Sequence, residues 1–466
     1  MSSEIRSKSA TELSRLIHAR KLSATEVMSA FLERIREANP KVNAICTFIG
    51  EQEAMRLAAE ADAVEPLGPL HGLPHAVKDL VLTRGIRTTF GSPIYKDFVP
   101  TQDALIVERL KNAGALIIGK TNTPEFGAGS QTFNEVFGAT RNPYDLTKTC
   151  GGSSGGAAVA LATGMLPLAD GSDLGGSLRN PASFCNVVGF RPSAGRVPTW
   201  PTMLAWNTLT VEGPMARSVQ DAAFLLAALA GPDPRVPISI TEPGSLFRRP
   251  LDRDFKGTRI AWSQNLGRYP VEPVVTQVCD TARQTFLDLG CRVDDAQPSI
   301  HEAAEIFHVI RAWQMAETRR EDYRQFRHLM KDTVIWNIEQ GMELTGEDIS
   351  SAEVKRAGVF QRMREFFEHY DFLVLPVSQV APFPLETKWV REINGTKMES
   401  YIDWMGTCSA ITVTGSPAIS VPCGFTPGGL PVGLQIVGPY RHDFEVLQLA
   451  HAFETARGAQ PGILAI

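Results

Sequence analysis

The sequence predicts an α/β protein. From about residue 70, short apolar runs alternate with helical patterns: PHAVKDL, then a helix over 103–112, then the strand-like run ALIIGK. Strand-like runs return as DFLVLP at 371–376, PAISVP at 417–422 and PVGLQIVG at 431–438, ahead of a final helix near 443–456. This alternation is typical of a sheet covered by helices, and strands at both ends of the chain favour one large sheet over independent units.

Two regions depart from this alternation. Residues 1–65 read as a helical lead-in, because Ser9 to Glu12 and Ser23 to Glu26 both have the capping-box pattern ahead of apolar residues at helical spacing. Residues 232–256 are rich in proline and arginine, and 300–370 are mainly helical with more charge. We therefore predict a single domain over 1–466, with an insertion or substrate-side lobe over 232–370.

Composition restricts the class of protein. Hydrophobic residues make up 43% of the 466 positions and charged residues 21%, which predicts a globular chain with a large core. The net charge of −5 and the pI near 6.0 provide no basic stripe that could neutralise phosphates. A small neutral substrate is therefore expected, and nucleic acid is not expected as a direct partner.

The seven cysteines are odd in number, widely scattered and form no CxxC pair. This usage favours reduced thiols in a cytoplasmic setting over a disulfide framework or a zinc site. The N-terminal residues lack the apolar run of a signal peptide, and no stretch of 18 or more apolar residues occurs. We expect a soluble cytoplasmic protein without membrane association, as a monomer or homodimer.

Two glycine-rich loops bracket one predicted helix and one predicted strand. The first, CGGSSGG, is not a phosphate-binding loop, since no Lys-Ser/Thr follows it and GxGxxG is absent. It presents the adjacent hydroxyls of Ser153 and Ser154 instead. The second, SDLGGS, places Ser177 after two glycines at a predicted helix N-terminus, where backbone amides and the helix dipole can stabilise an oxyanion. Ser177 is thus a candidate nucleophile for acyl transfer.

A serine needs a base to be nucleophilic at neutral pH. Lys78 lies within the apolar strand PHAVKDL, where burial would depress the pKa of a lysine and make it a base. None of the nine histidines falls in a recognisable catalytic or metal-binding motif, and the G-x-S-x-G elbow is absent. Taken alone, Lys78 would be expected to extend its ammonium from a strand edge into water instead.

Several blocks together resemble the amidase signature family: HGLPHAVKD, GKTNTPEFG, CGGSSGGAAVA, SDLGGSLRNPASFCNVVGFRPSAGRV and GPMARS. The similarity runs from about residue 70 to 230 and resumes at PAISVPCG and GLPVGLQIVG. It implies a three-layer α/β/α fold, with a large mixed sheet covered by helices on both faces. In that family a lysine, a serine that follows a cis peptide bond and a second serine form the catalytic triad, and the spacing of the two serines matches here.

The resemblance assigns roles to individual residues. Lys78 is implied as the base, Ser153 as the proton relay after a cis bond from Gly152, and Ser177 as the nucleophile. The oxyanion hole and substrate-binding positions are implied at the amides of the second loop and at a preceding glycine, namely Gly127, Leu174, Gly175 and Gly176. Asp173 and Arg179 match positions that brace the second loop. The sequence departs from the common pattern at Thr149-Cys150 and at Asn180.

The function implied is hydrolysis of a small-molecule amide, anilide or carbamate through an acyl-enzyme, with no metal or organic cofactor. The region 300–410 is expected to determine which amide is cleaved. An alternative in the same family is the glutaminase-like component of a tRNA-dependent amidotransferase, whose nucleophile loop usually reads SDTGGSIRQP. An alternative from another class is a non-catalytic protein that uses the glycine loops to bind an anion.

Simpler interpretations remain for single residues. Ser153 and Ser177 could cap helices, and Ser154 is expected to do so. Cys150 could be a nucleophile, but a buried filler is favoured. His75 is expected to be structural, facing away from Lys78 on the strand. Beyond the second loop, two tryptophans could line an aromatic pocket or pack in the core, namely Trp200 and Trp206.

Overall fold

The structure is a computed structural model that describes residues 2–458, 462–464 and 466. Within this part of the chain the α-helices are α1 (Ser2–Ser7), α2 (Ala10–His18), α3 (Ala24–Val42), α4 (Glu51–Asp62), α5 (Leu105–Asn112), α6 (Gly155–Ala162), α7 (Arg179–Phe184), α8 (Val219–Leu229), α9 (Pro273–Asp280), α10 (Arg283–Asp288), α11 (Ala303–Phe326), α12 (Asp332–Glu343), α13 (Gly346–His369), α14 (Gly406–Thr414) and α15 (Asp443–Arg457). Short 3₁₀ turns cover Pro93–Tyr95, Glu125–Gly127, Gly244–Arg248, Arg327–Leu329 and Asp403–Met405.

The strands alternate with these helices over most of the chain. They are β1 (Ile45–Phe48), β2 (Pro74–Lys78), β3 (Leu116–Thr121), β4 (Phe133–Asn134), β5 (Gly138–Ala139), β6 (Arg141–Asn142), β7 (Asp145–Thr149), β8 (Leu168–Asp173), β9 (Val188–Arg191), β10 (Val211–Ala216), β11 (Arg259–Trp262), β12 (Arg292–Asp295), β13 (Phe372–Pro376), β14 (Glu392–Ile393), β15 (Thr396–Lys397), β16 (Ala418–Phe425) and β17 (Pro431–Val437). The predicted runs at β2, β3, β13, β16 and β17 are confirmed.

Eight strands form the main sheet in the order β12-β11-β13-β17-β16-β9-β10-β8. The sheet is mixed, because β11 pairs in parallel with β12 and β13 whereas the other neighbours are antiparallel. Side chains of β13 alternate between two buried clusters: Phe372 and Val374 pack with α8, α9 and α15, and Leu373 and Leu375 pack with α11, α13 and α14. Since successive strand residues point to opposite faces, helices cover both faces, and the predicted fold class is confirmed.

A second, smaller sheet carries Lys78. It has the order β1-β3-β2, with β2 parallel and β1 antiparallel to β3. The prediction of one large sheet is therefore wrong for the N-terminal strands. The small sheet reaches the large one at its edge, where β2 lies beside β8. This contact brings the end of β2 next to both glycine-rich loops.

The predicted boundaries differ from the structure in two places. The lead-in over 1–65 is helical except for β1, a four-residue strand too short for its ICTF pattern to reveal. Its caps are as predicted: Ser9 accepts the Glu12 amide, and Ser23 and Glu26 form a capping box. The predicted lobe over 232–370 contains β11 and β12, which are edge strands of the main sheet. The helices α11 and α13 within it pack against β13, and the substrate-side lobe stays a prediction.

Candidate active site

Two strand-to-helix turns form the centre of the candidate site. One joins β7 to α6 through residues 150–154, and the other joins β8 to α7 through residues 174–178. Gly171 allows the two turns to touch, because a Cβ at this position would lie 2.7 Å from Ser154 Oγ. Lys78, the last residue of β2, faces the turns from the small sheet. All three predicted triad residues therefore lie in one region.

Lys78 is fully buried among hydroxyl groups. Its Nζ donates to Ser153 Oγ at 2.7 Å, to Ser154 Oγ at 2.8 Å and to Ser172 Oγ at 3.0 Å. Burial lowers the pKa of Lys78 to about 7, although Asp170, Asp173 and Glu212 each act to raise it. A lysine with this pKa is partly neutral near neutral pH and can accept a proton.

Ser153 follows a cis peptide bond from Gly152, as expected. The Gly152 carbonyl accepts a hydrogen bond from Ser130 Oγ at 2.7 Å, and Ser130 Oγ in turn accepts from Asn180 Nδ2 at 3.0 Å. Asn180 was noted in the sequence only as a departure from the family pattern. The structure shows that its side chain helps to hold the turn that carries Ser153.

Two further serines contact the lysine. Ser154 occupies the N-cap position of α6, but its hydroxyl makes no capping hydrogen bond. The predicted capping role is therefore wrong, because the Ser154 hydroxyl accepts from Lys78 instead. Ser172 was missed by the sequence analysis. It lies on β8 two residues after Asp170, so strand alternation places both on the same side, and this period of two was the available signal.

Ser177 is half-buried at the wall of a cavity of about 260 Å³ that Ser153 also lines. Among the described residues its hydroxyl has no hydrogen-bond partner, whereas its carbonyl accepts from the Ser154 amide at 3.2 Å. The proton relay that the resemblance implies for Ser153 therefore has a hydrogen bond to Lys78, and none to Ser177 among the described residues. Ser177 faces the open cavity and has no competing partner, and catalytic hydrogen bonds of this kind commonly tighten only when substrate is bound.

Asp173 is a buried carboxylate that organises the second turn. Arg179 donates to it through Nε at 3.0 Å and Nη2 at 2.8 Å, and Arg191 Nη1 donates at 3.1 Å. Burial alone would raise the pKa of Asp173, but the two guanidinium groups outweigh burial and lower the pKa well below its usual range. The amides of Gly176 and Leu178 also donate to this carboxylate. Asp173 and Arg179 thus lie where the resemblance implied.

The predicted oxyanion-hole residues divide into two groups. Gly127, Leu174 and Gly175 line the cavity together with Ser177. Gly176 does not line it, and its N–H is engaged by Asp173 Oδ1 at 2.9 Å. The prediction that the Gly176 amide faces substrate is therefore wrong. Gly176 is required for another reason, because its φ of 112° belongs to the region that favours glycine.

A buried charge network lies behind Lys78. Asp170 is fully buried and accepts His75 Nε2 at 2.9 Å and the Lys78 backbone amide at 3.2 Å. Burial raises the pKa of Glu212, on the neighbouring β10, to about 8. His75 therefore contacts Asp170, the residue that accepts the Lys78 backbone amide. This contact agrees with the expectation that His75 is structural. Asp170 and Glu212 were missed because only the pairing of β8 with β10, and the contact of β2 with β8, bring them close to Lys78.

The far wall of the cavity comes from α11. Six of its side chains lie on one helical face and line the cavity: Phe307, Arg311, Gln314, Met315, Thr318 and Arg319. The Phe307 ring reaches the second turn, where a Cβ on Gly175 would lie 2.8 Å from it. None of these residues was predicted. The spacing of residues along α11 shows which side chains share one face of the helix, but it does not show what that face contacts.

Other candidates lie outside the cavity. Cys150 is fully buried, burial raises the pKa of its thiol to about 12, and it packs as a filler. Trp206 is 76% exposed, and Trp200 stacks under the guanidinium of Arg235 at 4.4 Å. Neither tryptophan lines the cavity, so the aromatic pocket is formed by Phe126 and Phe307 instead.

The structure also bears on metals and membranes. Over the described residues, no group of three or more histidine, cysteine, aspartate or glutamate side chains is arranged to hold a metal ion. Within the same residues, no helix combines the length and apolar character needed to cross a membrane. All seven cysteines are unpaired.

Comparison with known proteins agrees with this geometry. The model of the family described as Amidase matches residues 26–447. An acylamidase from Rhodococcus erythropolis is 38% identical over 462 residues, covering 96% of this chain and 95% of that protein. The A component of the glutamyl-tRNA(Gln) amidotransferase of Thermus thermophilus is 37% identical over 458 residues, covering 93% and 94%. The crystal structure of a bacterial aryl acylamidase has a TM-score of 0.92 at 30% identity, covering 100% of both chains.

These similarities, together with the three-layer fold, define an enzyme that hydrolyses carbon–nitrogen bonds other than peptide bonds. The match extends far beyond the glycine-rich loops and includes the small sheet, the main sheet and the α11 lobe. The chain belongs to the amidase signature family, as its sequence blocks indicated. The non-catalytic anion-binding alternative is not supported.

Proposed function

We propose that the protein hydrolyses small-molecule amides through a covalent acyl-enzyme on Ser177, with Ser153 as proton relay and Lys78 as base. One observation carries the proposal: the buried Lys78 Nζ lies 2.7 Å from Ser153 Oγ, and Ser153 lines the same cavity as Ser177. A serine hydroxyl requires a nearby proton acceptor to attack a carbonyl at neutral pH. Lys78 is the group at this site whose lowered pKa suits it to that task.

The acylation step uses the relay in both directions. Ser177 Oγ attacks the amide carbon while its proton passes to Ser153, and the Ser153 proton passes to neutral Lys78. The tetrahedral intermediate then collapses, the carbon–nitrogen bond breaks, and the ammonium of Lys78 returns a proton through Ser153 to the leaving nitrogen. The products of this step are a free amine and a Ser177 ester, with Lys78 neutral again.

Deacylation repeats the sequence with water. The relay takes a proton from water as the water oxygen attacks the ester carbon, and it returns that proton to Ser177 when the ester bond breaks. In both steps the oxyanion needs donors. Gly175 is the loop glycine on the cavity wall, and its amide and that of Ser177 are proposed as donors, since Asp173 holds the Gly176 amide.

The cavity favours a small amide with an apolar portion. Its volume of about 260 Å³ is at the lower end for ligand pockets, and Leu80, Phe126, Val197 and Phe307 supply apolar lining. The two relatives named acylamidase and aryl acylamidase support acyl amides, including anilides, as the substrate class. Carbamates of similar size would fit the same chemistry.

The test is turnover of a panel of chromogenic anilides, primary amides, carbamates and esters by wild type and by Ser177→Ala. We expect at least one amide class to be hydrolysed by wild type at a rate that Ser177→Ala does not support. Equal rates for the two proteins on every active substrate would overturn the proposal. Because the cavity is small, bulky fatty amides are expected to react poorly.

A second candidate is a glutaminase-like component that works in an amidotransferase complex. The 37% identity to the amidotransferase component of Thermus thermophilus favours it. The loop SDLGGSLRNP differs from the usual SDTGGSIRQP of such proteins, which places this candidate second. Glutaminase activity that appears only with a co-purifying partner would favour it over the first.

The cellular setting is also a proposal. Seven unpaired cysteines, six of them buried, are typical of a reducing compartment, so we infer a cytoplasmic enzyme. We expect a monomer or homodimer that needs neither metal nor organic cofactor. Full activity after treatment with a metal chelator would agree with this expectation.

A further inference from the structure

The guanidinium of Arg311 lies at the cavity wall and has no ion-pair partner among the described residues. Arg311 is only 5% exposed, lines the cavity, and follows Phe307 by one helical turn on α11. Phe307 meets the nucleophile loop at Gly175, so Arg311 lies about 6 Å further along the helix axis from that contact. This spacing suits a group a few bonds away from the reacting carbonyl.

The protein does not neutralise this charge. Arg311 Nη1 donates to the side-chain oxygen of Asn337, and the guanidinium lies 5.3 Å from the centre of the Tyr401 ring. Among the described residues, no carboxylate lies within ion-pair distance of it. Arg319, two turns further along the same helix and also on the cavity wall, differs in that Asp322 pairs with it at 3.4 Å.

The surroundings add positive charge. Glu125 is the acid beside Lys331: its carboxylate accepts from Ser92 Oγ and from the Lys331 amide, each at 2.7 Å, and among the described residues it forms no ion pair with Arg311. Burial lowers the pKa of Lys331 to about 8; the negative charge of Glu125 acts against this lowering, and the positive charge of Arg311 acts with it. A buried cation without a counter-charge is costly, and such groups persist where a ligand supplies the missing charge.

A second polar side chain on this wall has no side-chain hydrogen bond within the described part of the chain. Gln314 lies three residues after Arg311 on the same face of α11, lines the cavity and is 7% exposed. Its side-chain oxygen is buried without a hydrogen bond, and within the described chain its amide nitrogen has no partner either. Buried polar groups normally have partners, so this amide is available to a ligand.

We propose that Arg311 and Gln314 form a subsite for a carboxylate on the substrate, so that the preferred substrates are small amides that carry an acidic group. The proposal rests on the hydrolytic function proposed above and specifies its substrate class. A guanidinium can hold a carboxylate through two parallel hydrogen bonds, and the Gln314 amide can add a third. The carboxylate could belong to the acyl part or to the amine part of the amide.

Two matched pairs of substrates distinguish a carboxylate on the acyl part from a carboxylate on the amine part. Succinyl and butyryl p-nitroanilides differ in a carboxylate on the acyl part, and 4-acetamidobenzoate and 4-methylacetanilide differ in one on the amine part. For wild type we expect kcat/KM to be about tenfold or more higher for the charged member of one pair, since a charge-assisted hydrogen bond contributes enough for such a factor. Arg311→Gln should bring that ratio close to one.

Two further variants serve as references. Arg319→Gln removes a guanidinium from the same wall that is already ion-paired, and it should keep the wild-type ratio. Arg311→Lys keeps the charge without the planar fork, and it should keep part of the preference. A wild-type ratio near or below one in both pairs would overturn the inference, even if Arg311→Gln does not fold.

The inference and the proposed function fail in different ways. Turnover of neutral amides that depends on Ser177, with a charged-to-neutral ratio that Arg311→Gln does not change, would overturn the carboxylate subsite and leave the hydrolase intact. Absence of Ser177-dependent turnover for any amide would overturn the function itself.

Discussion

The two walls of the cavity are built differently. The inner wall consists of Lys78, the end of β8 and the turns 150–154 and 174–178. Its polar groups are bonded to one another: Lys78 contacts three serine hydroxyls, and Asp173 accepts from two arginines and two amides. The outer wall is the cavity face of α11, where, among the residues that the structure describes, Arg311 has no ion-pair partner and the Gln314 amide has no hydrogen bond.

From this difference we infer that the inner wall carries out the reaction and the outer wall selects the substrate. The inner wall is already organised for proton transfer before substrate arrives, because its hydrogen bonds are made within the protein. The outer wall leaves polar groups open, so its interactions are completed only by a ligand. Substitutions on the inner wall should therefore slow every substrate alike, whereas substitutions on the outer wall should change the ratio between substrates.

Ser177→Ala is the severest test of the inner wall. Loss of the proposed nucleophile should reduce kcat by at least about 10⁴-fold for all substrates, because the acyl-enzyme is proposed to form on its hydroxyl. The measurement is steady-state turnover across the panel, with circular dichroism to verify the fold. Retention of more than a hundredth of the wild-type rate after repurification would contradict the assignment.

Lys78→Ala should reduce kcat/KM by about 10²–10⁴-fold, the usual contribution of a general base. In wild type the rate should rise with pH through about 7, because burial lowers the pKa of Lys78 to about 7 and only the neutral amine accepts the proton. Lys120→Met is a matched control. Lys120 is equally buried, and burial lowers its pKa to about 8, but it contacts Val81 and Thr83 outside the cavity. If Lys120→Met moved the acid limb of the kcat/KM profile and substitution of Lys78 did not, the base would be a group other than Lys78.

Asp173→Asn tests whether the inner wall depends on its buried charge. Removing the carboxylate leaves Arg179 and Arg191 buried together without a counter-charge, which should lower the free energy of unfolding by about 3–5 kcal/mol. Chemical denaturation at pH 7 measures this change. A loss below about 1 kcal/mol would show that the arginines find other partners.

Phe307→Leu tests the outer wall. The ring meets Gly175, so a smaller side chain should enlarge the pocket beside the nucleophile and change the relative kcat/KM of small and bulky acyl groups by about tenfold. The panel of substrates measures this ratio. An equal slowing of all substrates would place Phe307 with the inner wall.

Ser172→Ala should have the smallest effect. Its hydroxyl accepts a hydrogen bond from Lys78 and so stabilises the charged form of the lysine. Removing it should lower the pKa of Lys78, so the acid limb of the kcat/KM profile should move to lower pH while the plateau changes little. A limb that moves to higher pH would contradict this account of the lysine environment.

The sequence predicted the inner wall better than the outer one. Lys78, Ser153 and Ser177 lie in sequence blocks whose spacing is readable. In the structure Ser153 and Ser177 line one cavity, and the buried Lys78 contacts Ser153 from behind. Ser154 and Gly176 were misassigned because the sequence does not tell whether a hydroxyl or an amide turns toward the cavity or toward a buried partner. Their orientation depends on Lys78 and Asp173, which belong to other elements.

The fold shows the same limit. The alternation of apolar runs with helical patterns revealed the class and the strands β2, β3, β13, β16 and β17, because an apolar run is a local property of the sequence. It did not separate the three-stranded sheet from the main one, since pairing of β1 with β3 joins residues about seventy positions apart. Arg311 and Gln314 could be placed on one helix face, but only the packing of α11 over the second turn makes that face a substrate wall.

The most direct test of the central claim is identification of the acylated residue. The enzyme would be quenched during turnover of a slowly hydrolysed activated ester or amide, and the adduct located by peptide mapping and mass spectrometry, with Cys150→Ala as a control for a nearby thiol. We predict one acyl group on Ser177, present in wild type and Cys150→Ala and absent in Ser177→Ala. An adduct on Ser153 or on another residue, formed and released at the rate of turnover, would contradict the account.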